Sequence, residues 1–202
     1  EGELMAAWAG LGYYSRARNL IACARLLVAE YDARFPDSAA ELSALPGIGA
    51  YTSAAIAAIA FGEQVAVVDA NVERVIARLY AIDTPLPAAK TEIRKRAQAL
   101  TPADRPGDFA QAMMDLGATL CTPKKPQCLI CPLSRYCIAR VQGVAESLPV
   151  KPEKKTKPQR NGTAFWIERN GHVLLVRREG KGMLGGMAAL PDDGWRAGAD
   201  GN

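Results

Sequence analysis

The chain begins with apolar positions spaced three and four apart: Leu4, Met5, Trp8 and Leu11 fall on one helical face. No capping residue precedes them, so the pattern reads as a domain entered partway. Gly10-Leu-Gly-Tyr-Tyr breaks that helix. Ser15 is placed to cap the next, whose predicted inner stripe is Leu20, Ile21, Ala24, Leu27, Val28 and Tyr31. A Pro-Asp-Ser turn then opens a capping box from Ser38 to Glu41 and a short helix. Leu45-Pro-Gly-Ile-Gly is a tight turn into a helix over 50–61, and Asp69 stands at the head of an amphipathic one. That helix is predicted to turn Val72, Val75, Ile76 and Leu79 inward and Glu73, Arg74 and Arg78 outward. A proline-bearing break at 84–87, a polar helix over 90–100 and a helix starting at Asp108 follow. After residue 162 the period changes to that of strands. The runs 163–168 and 172–177 are joined by Asn170-Gly171, a strong hairpin signal.

This change of period divides the chain into three: a helical domain over 1–148, a linker over 149–161, and an incomplete second domain over 162–202. Residues 149–160, PVKPEKKTKPQR, hold three prolines and five basic residues without an apolar cluster, as a linker does. With 202 residues the chain is long enough for one good core and part of a second. A net charge of +4 is compatible with a nucleic-acid partner without requiring one. No signal peptide or membrane-length apolar run is present.

The chemistry concentrates at two places. At the first, Gly47 and Gly49 leave backbone N–H groups free to approach an anion, and the helix behind them adds the positive end of its dipole. A plain helix–helix turn would carry the same residues. At the second, Cys121, Cys128, Cys131 and Cys137 stand at intervals of six, two and five residues. Four cysteines so close suit metal ligation in a reducing cytosol better than a disulfide framework, and four thiolates could hold zinc. Cys23, alone on a helical stripe, reads as a small core residue, and His172 as a surface residue.

Taken together, these segments resemble the DNA glycosylases related to endonuclease III. The stretch 45–56 is similar to their helix-hairpin-helix, which grips a DNA phosphate, often with a monovalent cation. Asp69 matches their catalytic aspartate, and the cysteine spacing resembles their [4Fe–4S] loop. Tyr51 stands where strand-cutting members carry a Schiff-base lysine, which narrows the resemblance to the MutY-type adenine glycosylases. The resemblance implies a mainly α, helix-hairpin-helix glycosylase fold with an iron–sulfur loop, followed by the start of a Nudix-like α+β domain. It implies a monofunctional, monomeric enzyme of the bacterial cytoplasm that flips out and removes adenine opposite 8-oxoguanine or guanine in double-stranded DNA.

Site roles follow from the same resemblance. Asp69 would stabilise the sugar cation, Asn71 would orient it, and Tyr51 would line the pocket beside the sugar. Gln111 would face the extruded adenine and Tyr13 would wedge into the duplex, although Tyr13 and Tyr14 could equally cover a helix end. Lys124 and Lys125 would face a phosphate or be solvated charge; Arg16 and Arg18 leave the same choice open. Gly182-Met-Leu-Gly-Gly-Met-Ala-Ala-Leu-Pro is similar to the start of the family's second domain, without a Nudix box. The family's general-acid glutamate lies in a segment ahead of anything matched here, and no glutamate of this sequence takes its place. The chain alone is therefore expected to be a poor catalyst. A glycosylase that also cuts the strand, and a non-catalytic metal-held DNA-binding module, are the alternatives.

Overall fold

The computed structural model describes residues 2–152, 161–179 and 185–194. The chain divides into two compact units, residues 1–152 and 153–202. Much of the predicted linker, 153–160, lies outside the described residues, as does 182–184 of the glycine-rich motif.

The first unit is helical: α1 (Gly2–Ala7), α2 (Tyr14–Glu30), α3 (Ala39–Leu42), α4 (Ala50–Ala60), α5 (Ala70–Leu79), α6 (Lys90–Leu100), α7 (Pro106–Thr119) and α8 (Ile138–Val141). Helix α3 begins in the predicted capping box. The Ser38 hydroxyl accepts from the Glu41 N–H at 3.3 Å and donates to the Glu41 carboxylate at 2.8 Å. One buried cluster sits beneath the hairpin, where Cys23 and Leu27 of α2 meet Leu42, Leu45 and Ala57. A second joins Val72, Val75 and Ile76 of α5 to Ile93 and Ala97 of α6 and Met113 of α7. Two glycines let α7 come close to its neighbours. A Cβ on Gly107 would meet the Ala58 carbonyl oxygen of α4 at 2.7 Å, and one on Gly117 would meet the Asn71 Cβ of α5 at 2.6 Å.

Four local expectations are corrected. Helix α2 starts at Tyr14 with Tyr13 as its N-cap in the left-handed region, so Ser15 is inside the helix and caps nothing. Its buried face is Ala17, Cys23 and Leu27, while Leu20 and Val28 are exposed. Small residues let the neighbouring elements approach there, and periodicity alone does not say which face finds them. Helix α7 opens two residues early at Pro106, whose fixed φ and missing N–H suit a first turn. The fourth concerns α5. Arg74 and Arg78 point inward, 8% and 2% exposed, because the loop carbonyls packed against α5 require donors that an apolar residue lacks.

In the second unit, β1 (Glu168–Arg169) pairs antiparallel with β2 (His172–Val173) around Asn170 and Gly171, both at positive φ. Strands β3 (Val176–Arg177) and β4 (Ala188–Ala189) form another pair. The run 163–168 is a strand only at its end. Its earlier part is held by a single bridge from Ala164 to Asp192 and by the Phe165 N–H donating to the Pro191 carbonyl at 2.8 Å. His172 is exposed on β2, as expected.

Candidate functional site

Asp69 is the N-cap of α5. One carboxylate oxygen accepts the Val72 N–H at 2.7 Å, and the other accepts the Asn71 side-chain amide at 2.9 Å. The carboxylate therefore has a fixed direction at the N-terminus of a helix. It lines a cavity of about 230 Å³ together with Glu73, Lys90 and Arg94.

Asn71 is itself held. Its side-chain oxygen accepts from Arg74 at 3.0 Å, and the same guanidinium donates to the carbonyls of Gly117 and Cys121, both at 2.6 Å. Burial pulls the Arg74 pKa down from its ordinary value, Cys121 and Asp69 push it back up, and Arg78 adds to the fall. A hydrogen-bonded line thus runs from the Asp69 carboxylate through Asn71 and Arg74 to the backbone of the first cysteine. The sequence reading missed this line, since an arginine on a helix ordinarily signals solvent.

The hairpin precedes α4. Gly47 sits at φ +77, where a Cβ would also strike Asn19 Cβ at 2.6 Å, and Gly49 is the extended N-cap of α4 with open space around it. Tyr51, in the first turn of α4, is 44% exposed and donates its hydroxyl to Met114 Sδ on α7 at 3.5 Å. Gln111 lies on α7, its amide donating to the Gly107 carbonyl at 3.3 Å, and it lines a different cavity with Ile59 and Arg105. The structure therefore joins Asp69 and Asn71 directly, sets Tyr51 against Met114 of α7, and puts Gln111 one turn before Met114, lining a cavity apart from that of Asp69. Tyr13 is 81% exposed at the head of α2.

The four cysteines are free thiols that line one cavity with Arg78 and Arg140. Burial pushes the Cys128 thiol up, and the neighbouring Cys137, Cys121 and Cys131 push it further, against the pull of Arg78. Mutual repulsion of this kind is relieved by a cationic centre among the sulfurs. Among the described residues no three His, Cys, Asp or Glu are gathered tightly enough for a single metal ion. Four soft thiols around a shared cavity suit an iron–sulfur cluster. Lys124 and Lys125 are exposed in the interval between the first two cysteines. Lys125, at φ 49, donates its backbone N–H to Glu146 at 3.1 Å.

Residues 1–103 match the model of the HhH-GPD superfamily base excision DNA repair protein, and residues 121–137 match the iron–sulfur binding domain of endonuclease III. An adenine DNA glycosylase of Arabidopsis thaliana is 43% identical over 94% of this chain and 32% of its own length. The Homo sapiens adenine DNA glycosylase is 35% identical over 96% of this chain and 44% of its own, and that of Buchnera aphidicola subsp. Acyrthosiphon pisum 36% over 83% and 51%. The chain thus spans about a third to a half of these relatives. Among solved structures, a thermostable thymine-DNA glycosylase superposes with a TM-score of 0.62 at 33% identity, covering 70% of this chain and 66% of that one. A non-covalent endonuclease III–DNA complex gives 0.59 at 29% identity over the same shares.

Proposed function

The chain belongs to the HhH-GPD superfamily of base excision DNA repair proteins, and from that premise we propose that it is part of an adenine DNA glycosylase. The reaction is hydrolysis of the N-glycosidic bond of an adenine opposite 8-oxoguanine or guanine in duplex DNA. The observation that carries the reading is the Asp69 carboxylate, fixed by the Val72 N–H and the Asn71 amide at the head of α5.

The extruded nucleotide brings its sugar to Asp69. As the bond to adenine lengthens, the sugar gains oxocarbenium character, and the adjacent carboxylate stabilises that charge. A fixed anion is worth more than a mobile one, since no reorientation accompanies the reaction. Flipping the base costs a few kcal/mol, less at a mispair. Tyr13 stacking in the opened duplex, the hairpin N–H groups on a phosphate and the lysine-bearing loop would supply it. The four cysteines would hold an iron–sulfur cluster that fixes this loop and takes no part in the chemistry of base removal. The proton donor to the leaving adenine is not assigned to any residue of this chain.

The test is single-turnover adenine release by the whole protein of which the chain is part, from a duplex with adenine opposite 8-oxoguanine, read with and without alkali. Release lost in Asp69→Asn, with strand breaks only after alkali, supports the reading. Release that persists in Asp69→Asn overturns it. A second reading, strand cutting through a lysine adduct, draws on one observation: Lys90 shares the Asp69 cavity. Borohydride trapping decides it, because a covalent complex lost in Lys90→Ala would make the protein a lyase despite Tyr51.

A further inference from the structure

Arg78 is among the largest fully buried side chains, 2% exposed, and among the described residues no carboxylate pairs with it. All its described partners are neutral carbonyls except one. The guanidinium donates to the carbonyls of Thr122 at 2.7 Å, Leu148 at 3.1 Å, Pro123 at 3.1 Å and Cys121 at 3.3 Å. The remaining partner is Cys121 Sγ, at 3.3 Å. The backbone carbonyl of Arg78 accepts from the Cys137 thiol at 3.4 Å. Carbonyl dipoles solvate a cation without neutralising it, and an uncompensated ion in a protein interior costs several kcal/mol. Arg74, one turn away, has Asp69 within reach through Asn71. Arg78 has no such group. What it faces is the cavity lined by all four cysteines.

We propose that Arg78 is the fixed counter-charge of the iron–sulfur centre. Four thiolates around an iron–sulfur core give a site of net negative charge in its ordinary oxidation states, and the buried guanidinium balances it while donating to the Cys121 sulfur. Two consequences follow from electrostatics. Arg78 holds the cluster against loss, and it favours the more negative, reduced form, which raises the reduction potential. A third follows from the carbonyl contacts. Because the same side chain ties residues 121–123 to Leu148, loss of the cluster leaves a buried charge unbalanced at the root of the lysine-bearing loop. The inference rests on the iron–sulfur assignment and not on the glycosylase activity.

The chain is purified anaerobically as wild type, Arg78→Gln and Arg78→Lys. Iron and sulfide content, bleaching in a chelator and the reduction potential at an electrode are then read. Arg78→Gln is expected to lose its cluster about tenfold faster than wild type, with a lower potential in the clusters that remain. Arg78→Lys, which keeps the charge without the fork, is expected to stay near the wild-type potential. An unchanged potential and bleaching rate in Arg78→Gln would overturn the proposal. Equal falls of potential in both variants would also overturn it, since they would assign the effect to the carbonyl clamp. If Arg78→Gln does not accumulate, resonance Raman of the wild type decides: no shift of the iron–thiolate bands on H/D exchange would mean that no N–H meets the sulfur. A wild-type chain without iron or sulfide would refute the iron–sulfur assignment itself, an outcome distinct from the others.

Discussion

Asp69 caps α5 and, in the proposed reaction, also has a chemical task, and one substitution separates the two. Asparagine caps a helix about as well as aspartate does, so Asp69→Asn should leave stability within about 1 kcal/mol of wild type. It removes the negative charge that the proposed reaction sets against the sugar cation, so adenine release should fall by about 100-fold or more. Asp69→Ala loses both and should also unfold at lower denaturant, by about 1 kcal/mol, in urea titrations. If Asp69→Asn and Asp69→Ala lost stability equally, the Val72 N–H contact at 2.7 Å would contribute nothing to the helix. The capping role of Asp69 was legible in the sequence because an aspartate stands directly before the amphipathic pattern of α5. The role of Arg74 was not. Its partners are carbonyls 43 and 47 residues away in the chain, and no local pattern encodes a long-range acceptor.

Among the elements, the hairpin offers the sharpest contrast, because its two glycines serve different ends. Gly47 is at φ +77 and packed on Asn19, so Gly47→Ala should cost about 1–3 kcal/mol through strain and overpacking. Gly49 is extended, with nothing within 4 Å of its missing Cβ, so Gly49→Ala should cost less than about 1 kcal/mol. A methyl at Gly49 nevertheless stands where a phosphate would approach, and DNA affinity should fall while the melting curve stays in place. Unchanged duplex binding by Gly49→Ala would remove the hairpin from the DNA interface. Helices α3 and α5 and the Asn170-Gly171 turn were legible because side-chain caps and turn residues act locally. The buried face of α2 was not: Leu20 and Leu27 are equally apolar, and tertiary partners alone decide that Leu27 goes inside.

At the scale of the whole molecule, the net charge of +4 is too small to explain tight DNA binding as a diffuse attraction. Any strong salt dependence must come from cations held where phosphates pass. The interval between the first two cysteines offers exposed cations on a held backbone. The Lys125 backbone is pinned by Glu146, and the preceding residues are tied through their carbonyls to Arg78. Each phosphate contact contributes about 0.9 to the slope of log affinity against log salt. Replacing Lys124 and Lys125 together by alanine should therefore flatten that slope by roughly 1.8 if both meet phosphates. Both side chains are exposed, so the melting temperature should not change. The same flattening should appear when the cluster is removed from the unsubstituted chain, because the loop then loses the anchor at its cysteines. A double variant with the wild-type slope would make the two lysines ordinary solvated charge. A cluster-free chain with the wild-type slope would mean that the loop keeps its shape without the metal.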